Sequence, residues 1–232
     1  MRSSLIVRAG VVAAVAAVAT AACSSTGGSQ AGSSKSPSHM ASSSPSSAST
    51  TTVAAQLYAG LDQLLVEHVD LTANVVQTAI TTGPASANTK NAEAALGQNT
   101  DSLGAAIGSV YGSAAQQQFL KLWRAHIGFF VNYTLGLAAH NTAMVNTAKK
   151  DLAGYISQFS AFVAGATKLP KSAVAADLQG HVSTLETAIN AIVAGSTSEG
   201  SALLMAENHM AGTGAVLAQG IVVSMPSKFM SS

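Results

Sequence analysis

From Val53 to the C-terminus the apolar residues of this chain recur at intervals of three and four, and no stretch alternates apolar with polar at a period of two. That spacing lays the apolar side chains along one stripe of an α-helix and leaves no material for a sheet. Breaks then cut the pattern into six pieces. The first helix is expected over about 53–81, with Leu57, Leu61, Leu65, His68, Thr72, Val76 and Ala79 on its inner line, and Gly83-Pro84 stops it. The second, about 87–110, turns Leu96, Asn99, Leu103, Ile107 and Val110 inward and closes at Gly112-Ser113. The third, 113–139, carries Phe119, Leu122, His126, Phe130, Tyr133 and Leu137 and ends where His140-Asn141 turns the chain. The fourth, 142–166, ends at Leu169-Pro170; the fifth, 172–194, buries Val174, Leu178, His181, Leu185, Ala188 and Ile192; the sixth runs over about 198–223 before Pro226.

Helices of about 25 residues joined by turns of a few residues must fold back on themselves, which makes an all-α, up-and-down bundle of about six helices the expected fold. Alanine-rich faces allow the helix axes to approach closely. Over the whole chain only 9% of residues are charged, against 48% hydrophobic, where about 25% charged is ordinary. A net charge of +1 without clusters of Lys or Arg excludes nucleic-acid binding.

The pattern also repeats. Leu65-Val66-Glu67-His68-Val69, Trp123-Arg124-Ala125-His126-Ile127 and Leu178-Gln179-Gly180-His181-Val182 share a large apolar residue, a histidine three positions on, and a β-branched residue after it. The three histidines are 58 and 55 residues apart, one in every second helix, so the domain divides into three helical hairpins of about 55 residues. The segment Leu122-Trp123-Arg124-Ala125-His126 resembles those of a group of uncharacterised helical proteins of Gram-positive bacteria, which carry Leu-Trp-x-x-His in successive hairpins. That resemblance implies the hairpin architecture and brings no known activity with it.

In an alternating bundle the first, third and fifth helices run parallel, so His68, His126 and His181 are expected at similar heights on inward faces. Two outcomes are open. If the odd helices surround one axis, three imidazoles converge and suit a transition metal such as copper or zinc. His209 on the sixth helix is a candidate fourth ligand, with Met205 four residues before it on the same face and a soft ion then favoured. If the hairpins form a linear array, each imidazole stays apart and satisfies itself in the core on a carbonyl, on Asn99, or on Tyr133 or Tyr155. Asn99, Trp123 and Tyr133 are the residues expected to line a small-ligand site beside the histidines.

Other chemistries find no support in the spacing. Glu67-His68 and Glu207-Asn208-His209 do not have the Glu-x-x-His spacing of a di-iron carboxylate bundle. No G-x-S-x-G, P-loop or C-x-x-C-H occurs. A binding protein is therefore expected before an enzyme, and the alternative is a structural or interaction module of the cell envelope with an unknown envelope protein as partner.

The N-terminus indicates where such a module works. Arg2 and Arg8 precede an uncharged run, 9–22, that is nearly all Ala, Val and Gly and is shorter than the roughly 20 residues of a bilayer span. It ends at Thr20-Ala21-Ala22-Cys23, and Cys23 is the single cysteine of the chain, so no intramolecular disulfide exists. These residues resemble the lipobox of bacterial lipoproteins, which implies cleavage before Cys23 and lipidation of its thiol. Thr20 stands where Leu or Val is usual, which leaves ordinary signal cleavage after Ala21 as the alternative. Residues 24–52 are rich in Ser, Gly and Thr and hold one charge, Lys35, so they bury too little to fold. His39-Met40 within them reads as incidental. As a coil, this linker spaces the next domain roughly 30 Å from the bilayer. The expected organisation is signal peptide 1–22, lipidated cysteine and disordered linker 23–52, and helical bundle 53–232, anchored through lipid to the extracytoplasmic face of the cell membrane. Two acyl chains hold a protein there stably where one does not. Cys23→Ser is expected to release the protein into the medium or leave it unprocessed, as fractionation would show; unchanged membrane anchoring would count against lipidation.

Overall fold

The computed structural model describes residues 52–229. The signal segment, Cys23, His39-Met40 and nearly all of the linker lie outside them. Six α-helices follow one another: α1 (Val53–Thr82), α2 (Ala87–Tyr111), α3 (Ser113–Ala138), α4 (Thr142–Thr167), α5 (Lys171–Val193) and α6 (Glu199–Ser224), closed by a single 3₁₀ turn at Pro226–Lys228. Each boundary falls within a residue or so of the one expected from the sequence, because the stops are local. Thr52, Ser86 and Asn141 accept hydrogen bonds from the backbone N–H groups of Ala55, Thr89 and Met144 at the starts of α1, α2 and α4. Gly83 and Gly112 leave α1 and α2 at φ 96° and 86°, values that a side chain would oppose. No helix among the described residues is long and apolar enough to cross a membrane.

The helices form a closed ring. Each packs against its neighbours in sequence, and α6 returns to lie along α1. Within the ring α1, α3 and α5 also touch one another, so the three odd helices meet at the centre of the bundle. The main core runs through all of them, with Leu65, Val69, Trp123, Phe130, Leu152 and Leu185 among its buried residues. Along α3 the inner line differs from the expected one by a residue: Trp123 is buried and Leu122 sits at the margin. The larger ring takes the deeper place, against Phe119 and Phe159.

Closure of the ring depends on a close approach. A Cβ at Gly214 of α6 would stand 3.1 Å from the Cα of Asp62 and 3.3 Å from its backbone nitrogen in α1. The backbone there cannot yield as a side chain does. Gly212, two residues earlier on the opposite, exposed face of α6, faces open space. Gly214→Val is therefore expected to destabilise the bundle by about 2 kcal/mol or more through overpacking. Gly212→Ala is expected to stabilise it by about 0.5 to 1 kcal/mol through helix propensity. Denaturant unfolding of the two variants beside the parent chain checks both signs.

Candidate metal centre

Three turns of three parallel helices build the site. His68 of α1, His126 of α3 and His181 of α5 point into the centre of the bundle and are 1%, 0% and 2% exposed. Their ring centroids are 5.4 Å apart between His68 and His126, 6.3 Å between His68 and His181, and 6.4 Å between His126 and His181. One nitrogen from each lies within 4.8 Å of the others. An ion in the plane of three nitrogens at that separation would be about 2.8 Å from each, against about 2.0 to 2.1 Å in a Zn–N bond. Closing the difference takes a shift of under about 1 Å per imidazole, within the reach of a side-chain torsion. Of the two outcomes the sequence left open, the converging one is what the fold adopts.

The surroundings are aromatic. Trp123 lies 4.8 Å from His68 and 4.6 Å from His126, centroid to centroid. Tyr155 stacks on His126 at 4.7 Å with an interplanar angle of 18°. Phe130 stands edge-on to His126 and His181 at 6.1 and 6.2 Å. Beyond Trp123, towards the end of the bundle where α2 turns into α3, lies a small apolar cavity of about 40 Å³ lined by Leu65, Ile107, Phe119, Trp123 and Phe162 among others. The indole is thus the wall between the imidazoles and that cavity.

What the site lacks is partners. Among the described residues, Nδ1 of His68 and both ring nitrogens of His126 and His181 have no hydrogen-bond partner, nor do Trp123 Nε1 and the Tyr155 hydroxyl. Asn99 donates to the carbonyl of Leu64 and to the Glu67 carboxylate, and none of its hydrogen bonds reaches an imidazole. Tyr133 lies two turns along α3 from His126 and donates its hydroxyl to Asn190 Oδ1, with the Lys149 ammonium over its ring. Of the three residues expected to line a site, Trp123 alone does so.

His209 also stands apart. The fourth ligand expected from α6 is half-buried on the α5–α6 seam, where its Nε2 lies 2.9 Å from the carbonyl oxygen of Asp177; Thr213 donates to the Asp177 carboxylate beside it. Gly180 makes room for that ring, since a Cβ there would fall 2.6 Å from His209 Cε1. Met205 points outward and is exposed. Tyr155 of α4, expected to satisfy a histidine through its hydroxyl, meets His126 with its ring face instead, and its hydroxyl has no partner among the described residues.

Burial governs the charge state of the triad. Loss of hydration holds His68 down to about 3, with the charge of His181 adding to it. Burial, then His209, holds His181 down to about 4. His126 is pushed well below the usual histidine range by burial first and then by the other two rings; the Trp123 carbonyl, which approaches the ring without meeting hydrogen-bond geometry, opposes this. All three imidazoles are neutral at pH 7, the form in which histidine ligates a metal.

These depressed values make stability depend on pH. The unfolded chain takes up protons near 6.5 and the folded chain refuses them until about 4 at His181 and about 3 at His68. Stability is therefore full above the unfolded value and is lost as pH falls towards the folded ones, by up to about tenfold in the folding constant per pH unit for each imidazole. Glu207, raised to about 6 by burial and by Asp70, works in the opposite direction below pH 6, as one half-exposed group against three buried ones. Chelator-treated protein is expected to unfold at markedly lower urea at pH 5 than at pH 7. Replacing all three histidines by leucine should flatten that dependence.

The chain matches no protein-family model, no curated protein and no solved structure.

Proposed function

We propose that the bundle is a metal-binding domain in which His68, His126 and His181 hold one transition-metal ion, copper or zinc, and that it works on the extracytoplasmic face of the cell membrane, tethered through lipidated Cys23. The observation that carries the metal reading is that three imidazoles from three separate helices come within coordination reach of one another while five of their six nitrogens find no other partner among the described residues. A histidine that only fills a core needs one or two hydrogen bonds, and an unpaired buried polar atom costs roughly 1 to 3 kcal/mol. Five orphaned nitrogens at one point in the core make little sense as packing. One nitrogen of each ring makes sense as a ligand, because a shared ion accepts its lone pair and turns that part of the desolvation cost into binding free energy. The same observation sets this reading above that of an envelope module whose histidines are structural. The tether rests on the signal-like run and Thr20-Ala21-Ala22-Cys23, and the repeat of Leu-Trp-x-x-His type supports one histidine per hairpin.

The chain has a single tryptophan, and it is the one that touches two of the three imidazoles. Its emission therefore reports on the site directly. Titration of chelator-treated full-length protein with copper or zinc is expected to change Trp123 fluorescence with an endpoint at one ion per chain. At a free-ion concentration about a hundredfold above Kd the folded state gains about 2.7 kcal/mol, which raises Tm by roughly 5 to 10 °C for a domain of this size. His68→Leu, His126→Leu and His181→Leu should each abolish both effects. A wild-type chain whose emission and melting respond to no transition metal would refute the reading.

A further inference from the structure

Resting on that metal-binding reading, we infer that the ion is monovalent: the triad is a three-coordinate site for cuprous copper and selects it over zinc(II). The first argument is charge. Three neutral imidazoles bring no negative charge to the ion, and no Asp or Glu is among the buried residues of the described chain. The carboxylates nearest in sequence to the triad are engaged elsewhere: Glu67 accepts from Asn99, Asp70 pairs with Glu207, and Asp177 accepts from Thr213 beside His209. Whatever ion enters keeps its full charge inside an aromatic, nearly dry core. The cost of burying a charge rises with its square, so a dication costs about four times what a monocation of similar size costs.

The second argument is coordination number. Zinc is almost always four-coordinate, by a fourth protein ligand or by water at an open position. Among the histidines, cysteines and carboxylates of the described residues no fourth joins the triad. Of the rings around it, Trp123 and Phe130 carry no atom that ligates a metal, and Tyr155 lays its ring face on His126. With exposures of 0 to 2% the imidazoles leave little room for a water-filled fourth position. Cuprous copper has a filled d shell and a single charge, and three nitrogens in a plane satisfy it. Three nitrogens on three helices around one axis supply that arrangement by a shift towards their common centre. No redox step is involved, since the ion is taken and held as copper(I).

The test uses the full-length protein under nitrogen, with copper(I) supplied from a cuprous chelator and zinc(II) from a zinc buffer. One copper(I) per chain is expected, with X-ray absorption showing a three-coordinate edge and nitrogen scatterers only. A tenfold excess of free zinc(II) should displace less than about a tenth of the copper. His126→Leu, with its fold checked by circular dichroism, should lose the copper, and His209→Gln should keep it. Zinc(II) binding at one per chain while displacing copper(I), or a four-coordinate copper centre, would overturn the inference and leave the metal-binding reading standing. Binding of neither ion would bring down that reading itself. Copper retained by His126→Leu and lost by His209→Gln would place the site on the α5–α6 seam and overturn both.

Discussion

The return of α6 along α1 is the contact on which the rest of the structure depends. Three helical hairpins laid side by side would form a slab, with the odd helices separated and their histidines apart. Packing the last helix on the first bends the slab into a ring and drives α1, α3 and α5 together at its centre. That return is permitted by small residues: Gly214 lets the backbone of α6 come against Leu61 and Asp62, and Ala206 and Ala218 are wholly buried on the same helix. The alanine-rich, lightly charged composition is thus the means by which long helices come close enough to close. It also explains why the hairpins need one another, since the innermost stripe of each is covered only when the ring is complete.

Once the ring is closed, the register of the repeat does the remaining work. Each hairpin carries its histidine at the same place relative to its inner apolar line, so equivalent turns meet at one height. The imidazoles then share a point instead of three separate niches, and their mutual proximity denies them the carbonyls and hydroxyls that isolated core histidines would find. Neutral rings with free lone pairs, held inside aromatic walls, are the outcome of symmetry as much as of burial.

How much of this could be read from the residues follows from where each piece of information lies. Helix ends are written locally, in Ser86, Asn141, Gly83, Gly112 and Pro170, and the sequence places them to about a residue. The three histidines were visible as a repeat because a duplicated unit leaves its trace at a fixed spacing. Whether they meet is decided by α6 on α1, a packing of residues far apart in the chain, and no local signal separates a ring from an array. The same limit explains the partners that Asn99, Tyr133 and His209 find. All three lie on inward or half-inward faces, but a face covers several turns, and its polar residues answer to whichever neighbour the packing brings: Leu64 and Glu67 for Asn99, Asn190 for Tyr133, Asp177 for His209. Tyr155 is legible as a neighbour of the histidines, but whether it offers its hydroxyl or its ring face depends on how α4 packs on α3.

Burial of the triad has a kinetic side. No ion of hydrated size reaches nitrogens this enclosed unless helices part, so the rate of exchange follows the opening of the bundle and not diffusion in the medium. The cavity beyond the Trp123 wall is lined by apolar side chains, which a bare ion crosses only at the cost of its hydration shell. Whatever could be held between three such imidazoles would exchange slowly, whatever its affinity.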